Sequence, residues 1–238
     1  MKESVVDIHD LQEAAPFFKS RFGSFLGKVL IKWLSIDKVN KAHAHNCHLR
    51  GAEFTTALLN DPLIDIFASR RPDFKVMVNG VLTKIGAMGD NFVSVKPDSN
   101  NQGANLKNIN GVRISLQQLK EGHPMGFFPA GGISMYNKKT KKIQDLPWTH
   151  SVIRLIRKAK VPVYPVYFDF LNSRFFYWLG RIDWRIRTLR IPAEAFNKRG
   201  RTVDVYIGEP VSPEEIQNIA DDKDLAEFLY QRTYAAKK

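Results

Sequence analysis

The stretch Gly126–Lys139, "GFFPAGGISMYNKK", passes from an apolar run through a proline and a glycine pair into lysines. With Met125 in front, "MGFFPA" reads as a strand over Met125–Ala130, apolar throughout and so buried on both faces. Paired glycines after a strand let backbone N–H groups approach an anion, with lysines next door. A plain structural turn is the alternative. Nucleotide loops are excluded by spacing, since neither G-x-x-x-x-G-K-[ST] nor G-x-G-x-x-G occurs here.

Outward from this turn, strands and helices alternate. "FKVMVNG" and "NFVSV" read as strands, and "GVRISLQQLKEG" as a helix closed by Gly122. "THSVIRLIRKAK" is an amphipathic helix, and "VPVYPVYF" an edge or interrupted strand with two prolines. "RIDWRIR" alternates strictly, Arg181, Asp183, Arg185 and Arg187 against Ile182, Trp184 and Ile186, which predicts a strand. "TVDVYIG" is a last strand, and "SPEE" at Ser212 is a capping box with proline at the first helical position. The polar "KPDSNNQGANLKNINGVR" reads as a surface loop. The expected class is α/β: a single domain with a mixed, mostly parallel sheet flanked by helices, preceded by an N-terminal helical extension. The division is 1–60 for the extension and 61–238 for the α/β domain.

The extension reads as helix over residues 11–45, with a second helix over Val39–Asn60. Phe18, Phe22, Phe25, Val29, Leu30, Trp33 and Leu34 recur at helical spacing, with Lys19, Arg21, Lys28 and Lys32 largely elsewhere. Either this face packs on a core or it lies in a membrane interface. The run "FGSFLGKVLIKWL" is broken by Lys28 and Lys32 and falls short of a span. No secretory signal is visible at the N-terminus.

The chain has 238 residues and a net charge of +12. Sixteen Lys/Arg and four acidic residues fall between Asn137 and Arg201, so this segment carries the whole excess. Such a balance fits a solvated face, an anionic membrane or nucleic acid. For nucleic acid, Phe175, Phe176, Tyr177 and Trp178 offer stacking, but no DNA- or RNA-binding motif is present. One cysteine, Cys47, excludes an intramolecular disulfide and a Cys-rich metal site, and is compatible with the cytosol.

"FFPAGGIS", Phe127–Ser134, resembles the third block of the glycerophospholipid acyltransferase superfamily, F-P-E-G-T-[RS]-S. "VPVYPV", Val161–Val166, is similar to its fourth block, and "GDNFVSVK", Gly89–Lys96, stands where the second, G-x-x-F-I-x-R, belongs. The resemblance runs from Gly51 onward and is strongest over Gly126–Ser212, where it looks like the bacterial haemolysin-like or lysophospholipid (1-acylglycerol-3-phosphate) acyltransferase branch. It implies an O-acyltransferase moving a fatty acyl group from a thioester carrier, acyl-CoA or acyl carrier protein, to a hydroxyl of a lysolipid. It also implies lipid biosynthesis, peripheral attachment to an anionic membrane at the cytoplasmic face of the inner membrane, no metal and no bound cofactor. Nucleic acid is not an expected partner.

The family's first block, N-H-x-x-x-x-D, supplies the general base and the carboxylate that orients it. None of the six histidines has an aspartate five residues on. The nearest pair is His48–Glu53, in a predicted helix where a five-residue step turns the side chains apart. The block is expected between Ile64 and Asp65, where "LLNDPLI" meets "DIFASRRPDF". Either the protein carries a strand–loop–helix segment there that the 238 residues omit, or it lacks one and is an inactive lipid-binding relative. The first is favoured, because losing a central strand would expose its neighbours' edges.

The family Glu and Thr of the third block are Ala130 and Gly132 here, and the second-block Arg position is Val95, with Lys96 beside it. A lysine gives a point charge where arginine would grip phosphate bidentately, which favours a lyso-aminolipid acceptor. The substrate-binding candidates are Lys96, Pro129, Gly131, Gly132 and Ser134, with Asn79 and Asn172 after strands. Pro162 and Pro165 read as structural.

Overall fold

The computed structural model describes residues 7–14, 16–46, 49, 71–79, 86–95, 102–198 and 201–237. The chain is α/β and divides into two units woven from alternating segments. One takes in residues 1–70, 84–90 and 172–201, and the other 71–83, 91–171 and 202–238. The junction of Ile64 with Asp65 and the pair His48–Glu53 lie outside the described residues.

The first unit is helical as far as it is described. It comprises α1 (Ile8–Ala14), a 3-10 turn (Pro16–Lys19), α2 (Arg21–Trp33), α3 (Ile36–Asn46), α6 (Arg174–Ile182), α7 (Trp184–Leu189) and α8 (Ile191–Phe196). The continuous helix expected over 11–45 is therefore broken twice. Ser20 caps α2, its hydroxyl accepting from the Gly23 N–H at 3.0 Å. Ser35 takes a positive φ of 58°, which ends the α-helical path. Gly23 and Gly27 are buried, because a side chain there would overlap the Phe17 carbonyl or meet Ile8, Phe18 and Leu11. The seam of α2 is thus its glycines, and Phe22, Phe25, Val29 and Trp33 face out, each about half exposed or more.

The strand expected at Arg181–Arg187 is helical. Its alternation straddles the junction of α6 and α7, where Asp183 alone is extended (φ −152°, ψ 129°). The Asp183 N–H closes α6 on the Leu179 carbonyl, and the Asp183 carbonyl accepts from Arg187 to open α7. The stronger signal lies just upstream. Phe176 and Leu179 are spaced for a helix face, and both are buried. Leu179 packs with Leu34 and Ile36, bordered by Leu30, Phe175 and Ile186.

The second unit holds every described strand. β1 (Lys75–Asn79), β2 (Phe92–Val95) and β3 (Met125–Gly126) form a parallel sheet in the order β2-β1-β3. β4 (Met135–Asn137) and β5 (Lys142–Gln144) form a hairpin, and β6 (Val166–Asp169) pairs antiparallel with β7 (Asp204–Ile207). "VPVYPVYF" is an interrupted strand as expected: a single bridge joins Val163 to Val211 before β6 begins. The helices are α4 (Gln102–Lys120), α5 (His150–Ala159), α9 (Pro213–Asn218) and α10 (Asp222–Ala235). The core packs Val152, Ile153 and Ile156 of α5 against Ile216, Leu225 and Leu229.

Helix α4 starts at Gln102, inside the stretch expected to be a loop. Gly111 explains the close helix–sheet contact: a Cβ there would stand 2.9 Å from the Ser94 carbonyl oxygen. The helix ends where expected. Gly122 (φ +83°) donates to the Leu119 carbonyl and His123 to that of Gln118, a Schellman motif. The exposed capping box at α9 is also formed, with Ser212 and Glu215 bonding reciprocally.

Candidate functional site

In a parallel sheet, ligands gather beyond the carboxyl ends of the strands. β1 ends at Asn79, which pairs with Val95, the last residue of β2. β3 leaves the ladder earlier, at Gly126 opposite Val76. The glycine turn follows β3, and β1 and β2 end beside each other at Asn79 and Val95, so these described strand ends share one edge of the sheet. Lys96 and the Asn79 side chain lie outside the described parts.

The strand expected over Met125–Ala130 is only two residues long, and Phe128 is 64% exposed. The reason is Pro129, which has no N–H to give a ladder and whose ring sets φ for a turn. The Gly131 N–H donates to the Phe128 carbonyl at 2.9 Å, closing a turn over Phe128–Pro129–Ala130–Gly131. The Pro129 carbonyl accepts from Thr149 at 2.8 Å, which pins the turn to the start of α5. His150, the next residue, is exposed. Gly131 has φ +63°, a left-handed conformation that favours glycine. At Gly132 a Cβ would sit 3.1 Å from Leu146 Cδ1, the far end of an exposed side chain. Both glycines are exposed, and Ser134 is half-buried just before β4.

Four lysines, Lys138, Lys139, Lys141 and Lys142, crowd the exposed tip of the β4–β5 hairpin. Asn137 shapes the tip, its side-chain carbonyl accepting from the N–H groups of Lys139 (2.8 Å) and Thr140 (3.3 Å). The base is latched by the Tyr234 phenol, which donates to Asp145 at 2.7 Å. Burial, then that bond, pushes the phenol well above its ordinary pKa. This places a cationic finger directly after the glycine turn.

A histidine–aspartate pair does exist, but at the other edge. His123 Nδ1 stands 2.8 Å from Asp73 Oδ2, and these residues precede β3 and β1. Arg71 grips the same carboxylate through Nε (3.0 Å) and Nη2 (2.8 Å). Arg71 first, then His123, holds the Asp73 carboxyl far below the usual carboxylate range. Gln118 donates to the Asp73 carbonyl at 2.6 Å, so the last turn of α4 and His123 just beyond its end both dock on this residue. The pair ties helix to sheet at the amino ends of the strands. It was missed in the sequence because the two residues lie fifty positions apart; the signal was the helix-capping Gly122 that delivers His123 to that edge.

Asn172 belongs to the helical unit, where its side-chain carbonyl accepts from Lys198 Nζ at 2.6 Å. Beside it, Glu194 takes hydrogen bonds from the Ser173 N–H and hydroxyl, both at 2.7 Å, and from Arg190 at 3.2 Å. Arg190 also donates to the Leu34 carbonyl at 2.7 Å. Burial raises the Glu194 carboxyl, but these donors outweigh it and the net shift is downward. The role legible for Asn172 is therefore as part of a satisfied buried network.

Among the described residues, no group of three or more His, Cys, Asp or Glu side chains converges to hold a metal. Among them, too, no helix is long and apolar enough to cross a membrane.

The acyltransferase family model matches residues 43–238, and the chain belongs to that family. The resemblance drawn from the sequence thus holds at the level of an acyltransferase, and the class of activity is acyl transfer. The match runs across Ile64–Asp65, which are adjacent in the sequence. No curated protein and no solved structure matches the chain.

Proposed function

We propose that the protein is a peripheral membrane O-acyltransferase of the lysophospholipid type. It takes a fatty acyl group from acyl-CoA or acyl carrier protein and places it on a hydroxyl of a lysolipid, at the cytoplasmic face of the inner membrane. The observation that carries this reading is the glycine turn after β3. In a chain matching the acyltransferase family over residues 43–238, that turn follows β3 at the sheet edge where β1 and β2 end, at Asn79 and Val95.

The acceptor oxygen attacks the thioester carbonyl carbon, a C–O bond forms and the C–S bond breaks. The hydroxyl proton passes to a base and on to the departing thiolate, so the step needs no redox partner. The acceptor's head group lies against the glycine pair, whose missing side chains leave the backbone accessible, with Ser134 and Lys96 as polar partners. Ala130 and Val95 stand where the family pattern has Glu and Arg, which makes a lyso-aminolipid the preferred acceptor.

A second reading is a lipid-binding relative without turnover. It is favoured by one observation, the absence of any H-x4-D in the 238 residues. The purified full chain, incubated with acyl-CoA or acyl carrier protein and a panel of lysolipids, separates the two. Acceptor-dependent thiol release with an acylated product supports the enzyme. Lysolipid binding without product supports the relative. Exclusive use of lysophosphatidic acid defeats the aminolipid preference.

A further inference from the structure

We propose that the outer faces of α2 and α6 form one docking surface for an anionic lipid bilayer. The two helices are far apart in sequence and belong to the same unit. On α2, the stripe Phe22, Phe25, Leu26, Val29 and Trp33 follows the 3.6-residue repeat and is 37–67% exposed. The buried glycines on the seam side of the same helix turn this stripe outward. On α6, Trp178 is 48% and Ile182 59% exposed.

A ring contact joins the faces. Trp33 meets Phe175 edge-on at 5.2 Å, and Phe175 stacks on Trp178 at 5.8 Å. The arrangement is held from beneath. Arg190 lies 5.3 Å from the centre of the Phe175 ring while bonding the Leu34 carbonyl and Glu194. The apolar area is therefore continuous across both helices and mounted on a fixed base.

Charge decides the occupant. Arg21, Lys28 and Lys32 line one side of the α2 stripe, Arg174 and Arg181 border α6, and neither helix contains an acidic residue. Two copies of such a face would bring cation against cation, which disfavours self-association. Nucleic acid would use the aromatic rings but has no use for Leu26, Val29 and Ile182. A bilayer takes both parts: aliphatic and aromatic side chains enter the acyl boundary, and the cations meet anionic head groups.

This deepens the membrane-associated reading above, and its test is blind to turnover. The full chain is sedimented with vesicles of phosphatidylcholine, with and without phosphatidylglycerol, in the absence of acyl donor. Retention on the anionic vesicles is expected. Lys28→Gln and Lys32→Gln each lower partitioning about fivefold. Trp178→Gln and Ile182→Gln on α6 lower it as Phe22→Gln does on α2, each variant keeping its helical circular dichroism. If an aromatic variant loses helix content, the two exposed lysine variants carry the test. Full retention in the α6 variants overturns the shared surface. So does a dimer abolished by the same substitutions, or oligonucleotide binding without vesicle binding. Vesicle binding without acyl transfer leaves the surface standing and removes the enzyme; transfer to micellar lysolipid without vesicle binding does the reverse.

Discussion

Asp73 and His123 meet at 2.8 Å across the amino ends of β1 and β3, at the edge of the sheet opposite the one that the glycine turn leaves. A pair with the composition of a catalytic dyad thus serves as a brace. Its carboxylate is already held by Arg71, and its histidine is placed by a helix cap.

This gives a prediction for the pair. His123→Ala leaves the rate of acyl transfer unchanged, and a large loss of rate in a folded variant would move the chemistry to this edge. The Asp73 carboxyl titrates below its ordinary value of about 3.9 in the folded state. Its contribution is therefore complete above that pH and is lost as pH falls through the folded value. Thermal unfolding followed into acid reads this, and Asp73→Asn removes that component of the acid sensitivity.

Glu194 is the anion on which Ser173, Arg190 and Asn197 converge, and it is 3% exposed. Glu194→Ala strands a buried arginine and costs about 3–5 kcal/mol in urea unfolding. The carboxyl's folded pKa is lowered on balance. Its stabilisation is present above about pH 4.3 and fades as pH falls through the folded value, a dependence that Glu194→Gln lacks.

The two glycines of the turn separate backbone need from space. Gly131→Ala forces an L-residue to φ +63° and costs about 1–2 kcal/mol. Gly132→Ala meets only the far end of Leu146, itself 38% exposed, and leaves Tm almost unchanged. Under the acyl-transfer reading, Gly132→Val lowers kcat/KM for the lysolipid while the unfolding midpoint stays near that of the natural chain.

The glycine seam of α2 makes a stability prediction in the helical unit. Gly27→Leu must displace Ile8, whose Cδ1 would stand 2.5 Å from the new Cβ, and overpacking costs about 1–3 kcal/mol. Gly89→Ala is the control, with nothing within 4 Å of its Cβ. Chemical denaturation of both variants checks the contrast.

Signals carried by neighbouring residues were legible in the sequence. The capping box at Ser212, the helix stop at Gly122 and the strands β1 and β2 all rest on contacts within a few positions. The turn at Pro129 was legible as a turn, but not how much strand it would end. "RIDWRIR" misled because a seven-residue alternation cannot reveal a single extended residue between two helices. The outward aromatic stripe was half legible. Its period was plain, but which face packs depends on Gly23 and Gly27 admitting Ile8 and Leu11. The brace at Asp73 and the network at Glu194 join residues from 2 to 156 positions apart, and periodicity carries no information at the longer separations.

The bond from Arg190 to the Leu34 carbonyl has a consequence for synthesis. The amino-terminal helices leave the ribosome before the side chain that completes their packing, which emerges 156 residues after Leu34. Until then, Leu34 and Ile36 have no Leu179 to cover them. Between the synthesis of Ile36 and that of Leu179 this hydrophobic lobe is unfinished, and a chaperone or a nearby lipid surface can shelter it. Removing those helices to obtain a trimmed variant would leave α6 to α8 as orphans, so the amino-terminal segment is not a detachable appendage.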